Sequence, residues 1–174
     1  MISQTVRSFT FAATAAVLIA GGVQAGTIGT SGWIQVTPVG GAFSVTMPGV
    51  PEHKTAPLYA NGQTSTLHAY IVDSGRYVYS VFYNDLPSGV ANVRQTLDAM
   101  RDAGARGGRL IEEKDFTFNG YPGRSITVEM EGLSFYSRFF IANNRAYHVQ
   151  FGKRQSDVVP ESANTFITSF QLTR

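Results

Sequence analysis

Three two-residue turn signals constrain this chain more than any other feature. They are Asn119-Gly120, Glu131-Gly132 and Asn143-Asn144. The tightest hairpin loops need positive φ at both central positions, which Gly and Asn reach at the lowest steric cost. Between and around these turns the sequence from Arg109 to Gly152 is rich in aromatic and β-branched side chains. That combination predicts a four-stranded antiparallel meander, with Ile126–Met130, Leu133–Ala142 and Arg145–Gly152 as its clearest strands. Taken in register, one face carries Ile126, Val128, Phe135, Phe139, Ile141 and His148. The other carries Thr127, Glu129, Tyr136, Arg138, Phe140, Tyr147, Val149 and Phe151. Neither face is plainly polar, so both are expected to be partly covered by helices or loops. A bulge at Tyr121-Pro122-Gly123 would shift the register by one and exchange the faces.

The upstream half is read the same way. Trp33–Thr37 and Ala42–Met47 are short strands joined at Gly40-Gly41, and Pro48-Gly49-Val50-Pro51 ends the second. Glu52–Gly62 reads as a surface loop. Thr64–Asp73 and Arg76–Asn84 flank Ser74-Gly75, which predicts a hairpin pairing Val72 with Tyr77 and Tyr70 with Tyr79. Asn92 with Gln95 forms a capping box for a helix whose apolar face is Val93, Leu97 and Met100, ending at Gly104 or Gly107. A second helix follows Pro160, with Ala163, Phe166, Ile167 and Phe170 as its stripe. The fold class is therefore α+β: one domain over 33–174, an antiparallel sheet built from a hairpin and a four-stranded meander, and about two helices, with helical cover on both faces.

The first residues carry an address. Arg7 precedes an apolar run, Phe9–Ala20, and Val23-Gln24-Ala25 supplies small residues for cleavage. The run falls short of the roughly 20 residues that span a bilayer. The expectation is a signal peptide over 1–25, a flexible lead-in over 26–32, no transmembrane anchor after cleavage, and a periplasmic or secreted protein. No Cys follows the run to take a lipid, and the whole chain has none, so it makes no disulfide and offers no thiolate. Lys and Arg number 14 against 12 Asp and Glu, a near balance that is not a nucleic-acid footprint.

Known chemistries leave little trace. His53, His68 and His148 stand apart in sequence and read as structural or surface side chains, not metal ligands. There is no Gly-x-Ser-x-Gly elbow, and Glu112 and Glu113 project to opposite sides of a strand. Gly104–Gly108 follows a helix instead of opening one, so no cofactor is implied. The reading is a non-enzymatic binding or accessory module of the bacterial cell envelope, whose partner is an envelope protein or a small ligand. The alternative is a hydrolase-like enzyme with a dispersed site. The candidate contact residues are Tyr136, Arg138, Tyr147 and Glu129, which share one meander face and mix aromatic rings with charge. The same residues could instead pack, with Arg138 paired to Glu129.

A broader pattern runs through the chain. It includes Trp33, Pro38, and Gly41 through Pro51; Tyr79–Asp85; Gly120-Tyr121-Pro122-Gly123-Arg124; Arg138-Phe139-Phe140-Ile141 with Arg145-Ala146-Tyr147; and Phe166-Ile167-Thr168-Ser169-Phe170. Together these segments resemble a group of small exported bacterial proteins with a PsbP-like fold. The resemblance implies an antiparallel sheet between helices and no known chemistry. PsbP itself is an extrinsic subunit of photosystem II, a role that these residues do not imply.

Overall fold

A computed structural model describes residues 32–60, 63–87 and 92–173. The expected signal peptide and, apart from Gly32, the expected lead-in lie outside them. In chain order the elements are β1 (Ile34–Val36), β2 (Phe43–Met47), β3 (Glu52–Ala60), β4 (Gln63–Asp73), β5 (Tyr77–Asp85), α1 (Val93–Gly104), β6 (Arg109–Phe118), β7 (Tyr121–Met130), β8 (Leu133–Ala142), β9 (Arg145–Arg154), α2 (Glu161–Ser169) and β10 (Gln171–Leu172).

The meander forms as the turn chemistry predicts. Both central residues are at positive φ in all three turns: Asn119 at 49° and Gly120 at 84°, Glu131 at 50° and Gly132 at 80°, Asn143 at 50° and Asn144 at 61°. That backbone twist matches the twist of the strands it joins. The irregularity in register falls between Leu110 and Glu112 on β6, not at Tyr121-Pro122-Gly123. The two predicted meander faces therefore keep their membership.

Two expectations need correction. The β4–β5 turn centres one residue later than expected, so Val72 pairs with Tyr79 and Tyr70 with Val81. The reason is local. Ser74 and Tyr77 close the loop, with Ser74 N donating to Tyr77 O at 3.0 Å, while Gly75 takes φ 78° and donates to Asp73 Oδ1 at 2.7 Å. A shift of this kind leaves each side chain on its predicted face. The larger correction is that Glu52–Ala60 is a nine-residue strand, not a loop. Its charges and Pro57 mask the strand signal. They are tolerated because β3 pairs on one side only and lies at the sheet edge, where a missing N–H costs least.

The large sheet has seven strands in the order β3-β4-β5-β9-β8-β7-β6. The hairpin thus joins the meander through β5 and β9, with Val81 opposite Val149 and Tyr79 opposite Phe151. A second sheet, β1-β2-β10, lies with α2 over one face. There Phe43, Met47, Val81, Val149, Phe151 and Phe166 are fully buried. On the opposite face α1 packs on β7 and β8, joining Leu97 and Met100 to Ile126, Val128, Phe139 and Ile141. Helices therefore cover both faces. The α1 cap falls at the predicted residue, with Asn92 Oδ1 accepting from Gln95 N at 3.1 Å, which is the Asn92 half of the expected box. No helix among the described residues is long and apolar enough to cross a membrane.

Candidate functional site

The face beneath α2 and the small sheet is covered along its middle and open on both flanks. The first flank lies on β6–β8. Cross-strand register aligns Lys114 with Ser125, and Ser125 with Arg138; one step along, Phe116 aligns with Gly123. Arg138 is exposed, and its guanidinium stacks on Phe116 with 5.2 Å to the ring centroid. Gly123 permits this arrangement. A Cβ there would meet Phe116 Cζ at 2.6 Å and Phe139 O at 2.8 Å, so only a bare backbone lets the Phe116 ring lie across the strand. Glu129 is not paired with Arg138. Arg109 holds it at 2.5 Å from across the β6–β7 pair.

The four candidate residues thus separate. Tyr136 and Glu129 are half-buried, and Tyr136 leans on Phe151 at 6.0 Å. Burial, with Glu129 as a lesser cause, raises the Tyr136 phenol above its usual range. Tyr147 is a core residue, 2% exposed, its ring stacked on Phe140 and its hydroxyl donating to Gly41 O at 3.2 Å. Tyr136, Arg138 and Glu129 share the open flank, with Phe116 as an addition that sequence spacing alone could not supply.

The second flank, on β3–β5, carries a cluster that sequence reasoning missed. His53 pairs directly with Tyr70, and His68 with Tyr83. Each imidazole lies parallel to its tyrosine, with centroids 4.4 Å apart for His53–Tyr70 and 4.6 Å for His68–Tyr83. The two imidazoles meet diagonally, His53 Nε2 lying 3.2 Å from His68 Nδ1. Beyond them Arg145 sits 4.8 Å over the Tyr83 ring, pairs with Asp85 at 2.7 Å and donates to Gly40 O at 2.6 Å. The hydrogen bond from Arg145 holds the Asp85 carboxyl below its usual range. Burial, then His53 and Arg145, lower the His68 pKa from 6.5. The signal was a His and a Tyr at alternate positions on one predicted strand, His68 and Tyr70. The partner, His53, was hidden by the loop reading of β3.

The other face holds two charged or titratable groups that serve structure. Arg124 on β7, with its side chain only 6% exposed, is held by Asp98 of α1 and by Glu113 and Asp115 of β6, the last two at 3.1 and 2.9 Å. Arg101 also reaches Glu113, at 3.2 Å, so the network clasps α1 to the sheet. A cleft of about 570 Å³ opens beside this clasp, bounded by Arg94, Leu97, Asp115, Phe116, Thr117 and Arg124. His148 retains some exposed surface as a residue, but its ring lies between Phe82 and Phe139, at 5.1 and 4.3 Å, with Nε2 3.0 Å from Ser137 Oγ. The dense apolar surround of the ring, rather than the residue's exposed fraction, sets its proton affinity, and desolvation lowers its pKa to about 3.

Among solved structures the chain is similar to cyanobacterial PsbP (CyanoP) from Synechocystis sp. PCC 6803. The TM-score is 0.53 at 12% identity, over 86% of this chain and 98% of that one. A Pseudomonas aeruginosa protein of unknown function also matches, with a TM-score of 0.38 at 12% identity over 73% of this chain and 86% of that chain. No family model matches the chain, and no curated protein matches it. Superposition over 98% of CyanoP at a TM-score of 0.53, together with an antiparallel sheet that carries a helix on each face, shows that this chain has the PsbP-like fold.

Proposed function

We propose that this chain is a non-enzymatic binding module exported to the bacterial cell envelope, and that it engages an anionic group of its partner through Arg138. The observation that carries this reading is the state of that guanidinium. It is exposed and backed by the Phe116 ring, while Glu129, the carboxylate that sequence spacing offered it, is taken by Arg109. A guanidinium stacked on a ring keeps its N–H edge available for two-point contact with a carboxylate or phosphate. Tyr136 and Phe116 flank it with rigid aromatic area, the residue types that most often anchor contacts. Export is supported by the signal-peptide layout of residues 1–25.

The test compares wild type, Arg138→Ala and Arg138→Glu in capture of envelope proteins at low and high salt. Under this reading Arg138→Ala leaves the melting temperature nearly unchanged and weakens capture. Arg138→Glu abolishes capture, and salt weakens the wild type as it screens the contact. A marked loss of stability in Arg138→Ala, with capture unchanged for the folded fraction, would show instead that Arg138 serves packing on Phe116.

A further inference from the structure

We propose that His53 and His68 form a two-imidazole site for a borderline divalent cation, Zn²⁺ or Cu²⁺, on the β3 edge of the large sheet. His53 stands opposite Tyr70, and His68 opposite Thr55, so the two histidines are diagonal neighbours on one face of adjacent antiparallel strands. Their facing nitrogens, Nε2 of His53 and Nδ1 of His68, are 3.2 Å apart. Two imidazole nitrogens bound at roughly 2.0–2.1 Å to one ion lie roughly 3.0–3.4 Å from each other. The separation on this sheet already falls in that range, so chelation needs ring adjustment and no movement of the strands.

The rings are also held in place. His53 lies flat on Tyr70 and His68 flat on Tyr83, with interplanar angles of 7° and 2°. Rings already confined to their tyrosine faces have fewer orientations to lose on turning toward an ion, which lowers the ordering cost of chelation by as few as two ligands. In the metal-free chain one of the two nitrogens carries the proton of an N–H···N bond. Binding requires the donor ring to change tautomer, its proton passing through solvent to the ring's far nitrogen, so that both facing nitrogens bind the ion and both rings stay neutral. Arg145, whose charge acts on His68, is ion-paired with Asp85 at 2.7 Å, which reduces its repulsion of a dication.

Imidazole nitrogen selects the borderline ions over Mg²⁺ and Ca²⁺, which prefer oxygen. Among the described residues no group of three or more His, Asp or Glu side chains gathers around an ion position. The remaining coordination positions therefore belong to water or to a donor on a partner. His53 is exposed on an edge strand, so those positions face outward.

The experiment is calorimetric titration of the full chain with zinc chloride and, separately, copper(II) chloride, at neutral pH. The expected result is one saturable equivalent. His53→Gln and His68→Gln should each weaken it by about ten-fold or more, since loss of even an outer-shell partner commonly costs that much. Far-UV circular dichroism checks that each variant is folded. Imidazole NMR provides a second readout in the unaltered chain: the His53 and His68 resonances should shift on zinc addition while those of His148 stay in place. No saturable binding of either ion would overturn the proposal. So would binding unchanged in both variants, or a zinc shift confined to other residues.

Discussion

His148 sits on the α1 face between two phenylalanines and answers to pH through its surroundings. Its pKa is about 3 in the folded chain against 6.5 for the free side chain. A base held neutral by folding takes up its proton more readily when unfolded. Its share of stability is therefore complete above about pH 6.5 and declines as pH falls toward about 3, by up to about 1.4 kcal/mol per pH unit. Urea unfolding midpoints between about pH 7 and about pH 4 should show this slope, and His148→Gln should flatten it; equal slopes would refute the assignment. Arg124 makes the complementary case at the same scale. Its Nε and Nη1 serve carboxylates on two different elements, Asp115 of β6 and Asp98 of α1. Arg124→Ala should lower the melting temperature through lost packing of its buried stem as well as lost pairing, and Lys should recover little of it, because a single ammonium cannot reproduce that fork.

Turns and helix contacts show how far local rules reach. Gly120 is at φ 84° in a turn whose other central residue is also at positive φ. Gly120→Val should therefore destabilise by about 1–2 kcal/mol on chemical denaturation, although nothing would touch its Cβ. Phe139 lies 2% exposed beneath α1, and Gly104 lets the helix approach until a Cβ there would be 3.0 Å from the Phe139 ring. Phe139→Ala should cost about 3–5 kcal/mol, and a loss under about 1 kcal/mol would contradict the packing described. These elements were legible in sequence because their signals are local: paired positive-φ residues, a cap at Asn92, an apolar repeat. The strand β3 was not legible. An edge strand buries little, so His53, Lys54 and Pro57 carry no alternation to read. The site suffered with it, since the contact of His53 with His68 exists only once β3 pairs with β4. The Arg138–Phe116 stack was out of reach for a similar reason. It depends on the register of three strands and on Gly123 leaving room above the middle one.

On the scale of the whole molecule, the order of strands is the least local fact. Hairpin rules place β4 beside β5 and string β6 to β9 together, but they do not say which edges meet. Burial decides it: Val81 and Val149 end fully enclosed at the β5–β9 joint, where one is next to the other. The same joint leaves β3 and β6 as the two outer strands, and each bears one of the open flanks. The proposed anionic contact at Arg138 and the proposed cation site at His53 and His68 thus lie toward opposite edges of one sheet face. Separate sites of this kind should behave additively. Zinc should not alter capture through Arg138, and Arg138→Ala should not alter zinc affinity. A clear dependence of either on the other would mean that the two flanks communicate through the covered middle.

The small sheet has a consequence in time. Strand β2 is paired on one side by β1, a near neighbour in the chain, and on the other by β10, with Leu172 opposite Phe43 and Thr173 N donating to Ala42 O at 3.0 Å. A polypeptide emerging from its N-terminus can complete hairpins within microseconds, far faster than residues are added. It cannot complete this closure until Gln171 and Leu172 have appeared. Phe43 and Phe170, stacked at 5.2 Å in the finished core, wait for one another while every strand from β3 to β9 is made. Until then the largest apolar face of the molecule lacks its lid, and a nascent chain in that state is one that a holding chaperone can grip and a narrow channel can still thread.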